Sequence, residues 1–380
     1  MEKYIPLTYN ISQKNISLNE LYNMYEEIDK KNVVCIDSQL GKNIITVFED
    51  YSKSRNYDLF ILRPLTTSVY LEKTTNLDFI YNDKQIEKLN NIKNIENTII
   101  LINDISSFLL LTHNKLIVES SLFSTIISSI KKCKKLVITG ILINDQCIDF
   151  CNEKSQDILY YKTNMINSDS KISVIKLNKN QLIDKMITRC NNNEYFIFTS
   201  DNNKELKKIY STCIENVNKI NRSKFILINK TMFKEADGNI AQNWNNHYVF
   251  VYIPYIYGTE YTANENHDIF MYMKCNKIPQ YMFYQQAINC QKLRNIYYYI
   301  TSNKEKEYIS LDDCVIQLKK LTDMMAEHIG LRLKKLENED IYTKLYVKNE
   351  FMLDCYKSNK QYYFTKILRE NCLRHGKSND

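Results

Sequence analysis

Thr98-Ile99-Ile100-Leu101-Ile102 runs straight into Asn103-Asp104-Ile105-Ser106-Ser107-Phe108, and this junction decides how the chain is read. Five residues without polar alternation, four of them β-branched, suit a strand covered on both faces, as in a parallel sheet. The polar pair after them stops the strand, and the apolar spacing beyond it opens a helix. In α/β folds, ligands bind where such strands end.

Working outward, the same alternation of short apolar run and longer amphipathic stretch recurs. Val33–Asp37 precedes a helical stretch from Lys42 to Ser54, and Asp58–Arg63 is the next run. Ile105–Lys132 is read as helical and Lys135–Thr139 as a strand. The pattern then restarts. Strands are expected over Lys171–Leu177, Tyr195–Thr199, Ser223–Asn229, His247–Ile253, Asp268–Met273 and Asn295–Ile300. Helices are expected over Lys179–Cys190, Asn203–Asn218 and Pro279–Leu293. Parallel strands need crossover connections of a dozen or more residues, and each gap is long enough. The expectation is an α/β fold of two successive parallel-sheet domains, residues 1–165 and 166–305. A C-terminal helical region, 306–380, carries long amphipathic stretches such as Cys314–Leu336.

Composition bounds the function classes. A chain of 380 residues with 44% hydrophobic and 25% charged residues can bury a sizeable core and is not disordered throughout. With 6 Gly and 4 Pro, collagen-like and linker-rich architectures are excluded. Lys and Arg outnumber Asp and Glu by 51 to 44, a formal +7, which permits nucleic-acid binding without requiring it. The 11 Cys lack a zinc-type double pair, Cys147 and Cys151 being the only close spacing, and they read as reduced thiols. No apolar stretch resembles a signal peptide or a membrane span, so a soluble, intracellular protein without a membrane partner is expected. The five His are scattered without a metal-ligand spacing. Trp244, the single Trp, reads as a buried anchor or a base-stacking platform. Lys131-Lys132-Cys133-Lys134-Lys135 reads as a solvated helix end.

Two junctions could carry chemistry. The first strand leads into Asp37-Ser38-Gln39-Leu40-Gly41-Lys42-Asn43. A phosphate-cradling loop needs Gly for close approach, Lys for the β- and γ-phosphates, and Ser or Thr for magnesium. Gly41 and Lys42 fill two of these places and Asn43 stands at the third; an ordinary turn is the competing reading. At the second junction, Asn103 and Asp104 stand where a pair of acids would orient magnesium and the attacking water. Strands often end in Asp, so this too has a plain alternative.

Order and spacing tie these fragments together. The stretch Ile100-Leu101-Ile102-Asn103-Asp104-Ile105-Ser106-Ser107 resembles the second nucleotide-binding motif of the origin-binding helicases of herpesviruses and giant DNA viruses, members of helicase superfamily 2. In that family the strand ends in Asp-Glu. Leu62-Arg63-Pro64-Leu65-Thr66-Thr67-Ser68 is similar to its motif on the second strand, which contacts the nucleic-acid backbone. Lys135–Thr139 with Gly140-Ile141-Leu142-Ile143-Asn144-Asp145 resembles the coupling motif. Phe196-Ile197-Phe198-Thr199-Ser200 is similar to the first strand of the second domain. Tyr252-Ile253-Pro254-Tyr255-Ile256-Tyr257-Gly258 and Gln286-Ala287-Ile288-Asn289-Cys290-Gln291-Lys292 resemble two later motifs.

The resemblance implies two tandem RecA-like domains and a set of roles. Gly41, Lys42, Asn43, Asn103, Asp104, Gln286 and Lys292 would line a nucleotide site, with Asp104 as the remaining catalytic candidate. Arg63, Thr66, Thr67, Ser68, Thr199 and Ser200 would contact nucleic acid, turn capping being the alternative for each. DNA and other viral replication proteins are the implied partners, and the host cytoplasm or viral factory the implied location. The departures fall on essential positions. Asn43 replaces the magnesium hydroxyl, Asn103 the first acid, Cys290 the arginine finger, and Lys292 the second arginine. A finger is worth about 10³–10⁵ in rate. The expectation is therefore a degenerate, helicase-like origin-binding protein with no cofactor, ATP and Mg²⁺ entering only if the site is active. An adaptor reusing the double scaffold and an active DNA-dependent ATPase are the alternatives.

Overall fold

A computed structural model describes residues 13–16, 18–37, 42–62, 88–89, 91–109, 120–140, 143, 145–163, 172–228, 244–253, 261–275, 278–288 and 290–301. It also describes 312–313, 316–317, 320, 351, 355, 357–370 and 374–375. The chain divides into two compact units, residues 1–63, 81–163 and 303–359 forming one, and 64–80, 164–302 and 360–380 the other. The C-terminal stretch expected as one region, 306–380, is thus shared between the two units. The helix expected over Cys314–Leu336 lies largely outside the described residues.

The sheet of the first unit is parallel throughout, ordered β1 (Gln13–Ile16), β6 (Ile158–Thr163), β2 (Val33–Asp37), β5 (Lys135–Gly140), β4 (Thr98–Ile102), β3 (Asp58–Leu62). All five residues of β4 are buried, as an apolar run without alternation demands. Short helices α1 (Leu18–Tyr22) and α2 (Tyr25–Asp29) precede β2. Helix α3 (Lys42–Ser54) turns Ile44, Val47, Phe48 and Tyr51 inward at helical spacing onto Val34, Ile36, Ile99, Leu101 and Val137. Helix α4 (Ser120–Lys132) precedes β5 and α5 (Asp145–Asn152) follows it. Lys135, at the start of β5, is buried. Its ammonium donates to the carbonyls of Ile28, at 2.5 Å, and Lys31. It thereby satisfies carbonyls at the α2 C-terminus, and burial pulls its pKa down to about 8.

The second unit repeats the plan with seven parallel strands. Their order is β13 (Arg374–His375), β7 (Ser173–Lys176), β12 (Cys290–Ile300), β11 (Tyr261–Met273), β8 (Phe196–Ser200), β10 (Tyr248–Tyr252), β9 (Phe225–Ile228). Helix α6 (Lys179–Asn191) starts on a capping box between Asn178 and Gln181, and α7 (Asn203–Asn216) on the Asn202 side chain. Their inward residues Leu182, Met186, Cys190, Leu206, Ile209 and Cys213 meet an aromatic layer of Phe196, Phe198, Tyr248, Phe250, Phe270 and Tyr297. Two further helices follow, α8 (Gln280–Ile288) and α9 (Lys360–Glu370).

The expected α/β class with two parallel sheets is therefore the observed one. Strands β1, β6 and β13 are not among the expected elements, and two further elements differ in their bounds. The helix over 279–293 stops at Ile288, and β12 begins at Cys290, because Tyr261 and Thr262 already pair with Cys290 and Gln291 ahead of a bulge. The strand expected at 268–273 is the second half of β11.

Candidate functional site

In the first unit, the chain leaves β2 toward β3 at one end of the sheet and leaves the adjacent β5 toward β6 on the other side. Neighbouring strands with opposed exits open a crevice at their carboxyl ends, where α/β proteins bind ligands. Asp37, Leu62, Asn103, Thr139 and Gly140 all end or follow strands there. Lys42 and Asn43 open α3 immediately beyond β2. Their side chains, with Gly41, Arg63, Thr66, Thr67 and Ser68, lie outside the described residues.

The junction after β4 is fixed on three sides. The Asn103 backbone N–H donates to the Leu62 carbonyl at 2.8 Å, which ties the turn to β3. The Thr139 hydroxyl donates to Asn103 Oδ1 at 2.6 Å, which ties its amide to β5. Gly140 completes the seat: a β-carbon there would come within 3.5 Å of Ile105 Cγ2 and 4.0 Å of Asp104 Cα. Asp104 is wholly buried and takes a left-handed backbone, φ 61°, a conformation Asp tolerates better than most residues. Its carboxylate accepts from the Ser107 N–H at 3.4 Å and its carbonyl from the Phe108 N–H at 3.0 Å. Asp104 thus caps the helical turn that it opens. Asp37, overlooked in the sequence, accepts a hydrogen bond from the Tyr160 hydroxyl at 3.1 Å.

In the second unit, Thr199 and Ser200 end β8 but are both buried. The Ser200 hydroxyl accepts from the Asn202 N–H at 3.0 Å, which is the turn-capping alternative. Thr199 lines a small cavity beneath α8 with Ile197, Trp244, Ile269, Met271, Gln286, Ala287 and Cys290. Its hydroxyl has no hydrogen-bond partner among the described residues. Trp244 is 3% exposed, the buried anchor of its two readings.

The structure brings Gln286 and Cys290 to this cavity, and leaves Lys292 exposed in the β11–β12 bulge with φ 61°. Cys290 meets a partner that the sequence hid. His267 Nδ1 lies 3.4 Å from the Glu265 carbonyl, which can only accept, so Nδ1 carries the proton. His267 Nε2 then accepts from the Cys290 thiol at 2.7 Å. Burial lowers the imidazole's pKa and pushes the thiol well up, so both are neutral. A buried charge cluster among the described residues of this unit lies elsewhere. Asp268 is wholly buried against Arg189 (Nε, 2.8 Å), Arg294 (Nε, 2.9 Å) and Asn295 (Nδ2, 2.7 Å). Glu194 bridges the two arginines from outside. This cluster ties β11 to β12 at Asp268 and Asn295, where regular pairing resumes after the bulge.

Among the described residues no three of His, Cys, Asp and Glu converge as a metal set. Among them no helix is long and apolar enough to cross a membrane.

No protein-family model matches the chain, and no curated protein matches it. Solved structures do. A DUF1998 helicase, MrfA, bound to DNA aligns at 9% identity and TM-score 0.47, over 75% of this chain and 46% of its own. The chain thus spans less than half of that relative. A DEAD box protein from the hyperthermophile Methanococcus jannaschii aligns at 12% identity and TM-score 0.32, over 74% of this chain and 79% of its own. A DEAD-box helicase bound to single-stranded RNA and UDP-BeF aligns at 7% identity and TM-score 0.39, over 94% and 85%. Likenesses of this strength add nothing to what strand order already establishes.

Proposed function

We propose that this chain is a helicase-like nucleic-acid-binding protein, of the origin-binding type found in large DNA viruses, whose nucleotide site does not turn over. The observation that carries the reading is the state of the junction after β4. Magnesium in a phosphoryl-transfer site needs an ionised ligand there. Asn103 has no charge, and Thr139 occupies its amide oxygen. Asp104 directs its carboxylate at its own helical turn. The finger position supports the same reading, because Cys290 is a neutral buried thiol that offers nothing to a developing phosphate charge. These donors do not fit a magnesium triphosphate, so no catalytic step is assigned to them.

Nucleic-acid binding is the part of the reading that survives a decayed motor, since phosphate contacts need only cations and hydrogen-bond donors. The test is a fluorescence-anisotropy titration of the full chain with single- and double-stranded DNA across a salt series, beside an ATPase assay. Binding that weakens steeply with salt, without turnover, is the expected result. No binding at ~50 mM salt, where electrostatic contacts are strongest, moves the protein to the adaptor reading. Turnover abolished by Lys42→Ala moves it to the active ATPase.

A further inference from the structure

Helix α7 presents a basic stripe that no motif accounts for. Its exposed positions include Lys204, Lys207 and Lys208, while Leu206, Ile209 and Cys213 turn into the core. Spacings of three and four residues put these lysines on one face. At 1.5 Å rise per residue, Lys204 and Lys208 are about 6 Å apart along the axis, close to the spacing of successive phosphates on one strand. None of the three is in an ion pair among the described residues. The acid between them, Glu205, is held by Lys179 of α6. Asp201, just before the helix, turns inward onto the backbone N–H groups of Lys274 and Cys275 at 2.8 and 2.7 Å. That contact brings a fourth lysine, Lys274, to the amino end of α7. The opposite end of the strands is different, because Arg189 and Arg294 are neutralised there by Asp268 and Glu194.

We propose that the Lys204–Lys207–Lys208 face of α7 is a docking surface for the phosphate backbone of nucleic acid. The proposal rests on the nucleic-acid reading above and locates it on a surface. Thr199 and Ser200, the contacts expected in this unit, are buried one element earlier, and the helix that follows them carries the charge instead. Lysines on a flexible stem act as point charges, so the surface grips the backbone without reading bases.

The test uses the full chain and a short fluorescein-labelled duplex of mixed sequence, titrated at several salt concentrations. Three variants are compared with the unmodified protein. They are the triple Lys204→Gln, Lys207→Gln, Lys208→Gln; a control triple Lys131→Gln, Lys132→Gln, Lys134→Gln in the first unit; and the single variant Lys207→Glu. Each lost phosphate contact should flatten the log–log salt slope by about 0.9, so the α7 triple should lose about 2.7 and bind roughly 10²–10³-fold more weakly at ~0.1 M salt. The control triple should keep its slope, and Lys207→Glu should weaken binding more than one neutralised contact does. All three variants replace exposed side chains, so circular dichroism should match the unmodified chain. If the chain binds DNA and the α7 triple binds equally well, this surface is wrong while the nucleic-acid reading stands. If the unmodified chain binds no DNA at low salt, both fail. If the α7 triple loses poly-glutamate binding while its duplex affinity is unchanged, the face serves an acidic protein and the proposal is overturned.

Discussion

Replacing Asp268 with alanine should unfold the second unit at a much lower urea concentration, and the size of the effect follows from its surroundings. The carboxylate is wholly buried, accepts hydrogen bonds from Arg294 Nε and Nη2 at 2.9 and 3.0 Å and from Asn295 Nδ2 at 2.7 Å, and has Arg189 Nε beside it at 2.8 Å as an ion pair without hydrogen-bond geometry. Removing one partner of a buried pair costs about 3–5 kcal/mol, because the remaining charge stays desolvated. Here the arginine side chains are 16% and 38% exposed and both keep Glu194, so water and that second carboxylate relieve part of the penalty. The expected loss is about 3 kcal/mol, and Asp268→Asn, which keeps the shape and part of the hydrogen bonding, should lose about half as much. Trp244 makes the measurement specific. It is the only Trp in the chain, is buried in this unit, and reports its unfolding alone when excited selectively. With a urea dependence of about 2 kcal/mol per molar, the midpoint should fall by about 1.5 M. A midpoint within ~0.3 M of the unmodified protein would refute the reasoning that this cluster holds β11 and β12 together beyond their bulge.

Other outcomes follow from single contacts. Thr139→Val should cost about 1–2 kcal/mol in chemical denaturation followed by circular dichroism, because it strips the donor from a part-buried Asn103 oxygen; an unchanged midpoint counts against that bond. Lys135, with its pKa drawn down to about 8 by burial, is more easily deprotonated in the fold than in the unfolded chain. The unfolded state therefore binds more protons, and stability of the first unit should rise as pH climbs from 8 toward 10; Lys135→Met should abolish that rise, and a fall with pH would sink the assignment. Restoring the finger with Cys290→Arg should destabilise the second unit by about 2 kcal/mol or more, since a guanidinium would enter a buried site beside neutral His267. A Trp244-monitored melt that does not move would show that the site is open to solvent. Finally, Asn103→Asp alone should leave ATP hydrolysis at background, because losses within one catalytic unit are strongly non-additive; measurable turnover from that single change would contradict the reading of the finger position.

How much could be read beforehand depended on whether an element's identity was local. β2, β4 and β5 are uninterrupted apolar runs buried on both faces, so composition alone revealed them. β1, with the sequence Gln-Lys-Asn-Ile, is an edge strand specified by its pairing with β6, and nothing in its residues announces it. In the Gln280–Ile300 stretch the point where helix gives way to strand differs from expectation, because Cys290 and Gln291 continue a helical pattern and the pairing that makes them a strand comes from Tyr261 and Thr262, about thirty residues away. The site divides in the same way. That Asn103 and Asp104 end a buried strand was legible. That Asp104 caps its own turn, and that Asn103 answers to Thr139, depends on strand order and backbone handedness. Thr199 shows the limit most plainly: the parity of β8 puts it with Ile197 beneath α8, and no local pattern tells a solvent-facing hydroxyl from one under a helix.

The placement of α9 has a consequence for synthesis on the ribosome. Phe364 packs edge-on against Tyr298 with ring centroids 4.8 Å apart, and Gln361 reaches the Tyr298 hydroxyl at 3.1 Å. Lys360 reaches Thr301 at 3.4 Å, and β13 adds to β7 only at Arg374 and His375. The central strands of this sheet are thus made well before their cover. About sixty residues separate the end of β12 from the start of α9, roughly 3–12 s at ordinary elongation rates. Throughout that interval Tyr298 and its neighbours present an uncovered aromatic face to the cell. A nascent chain paused between Ile300 and Lys360 should therefore be a preferred client of hydrophobic-binding chaperones, until synthesis of α9 releases it.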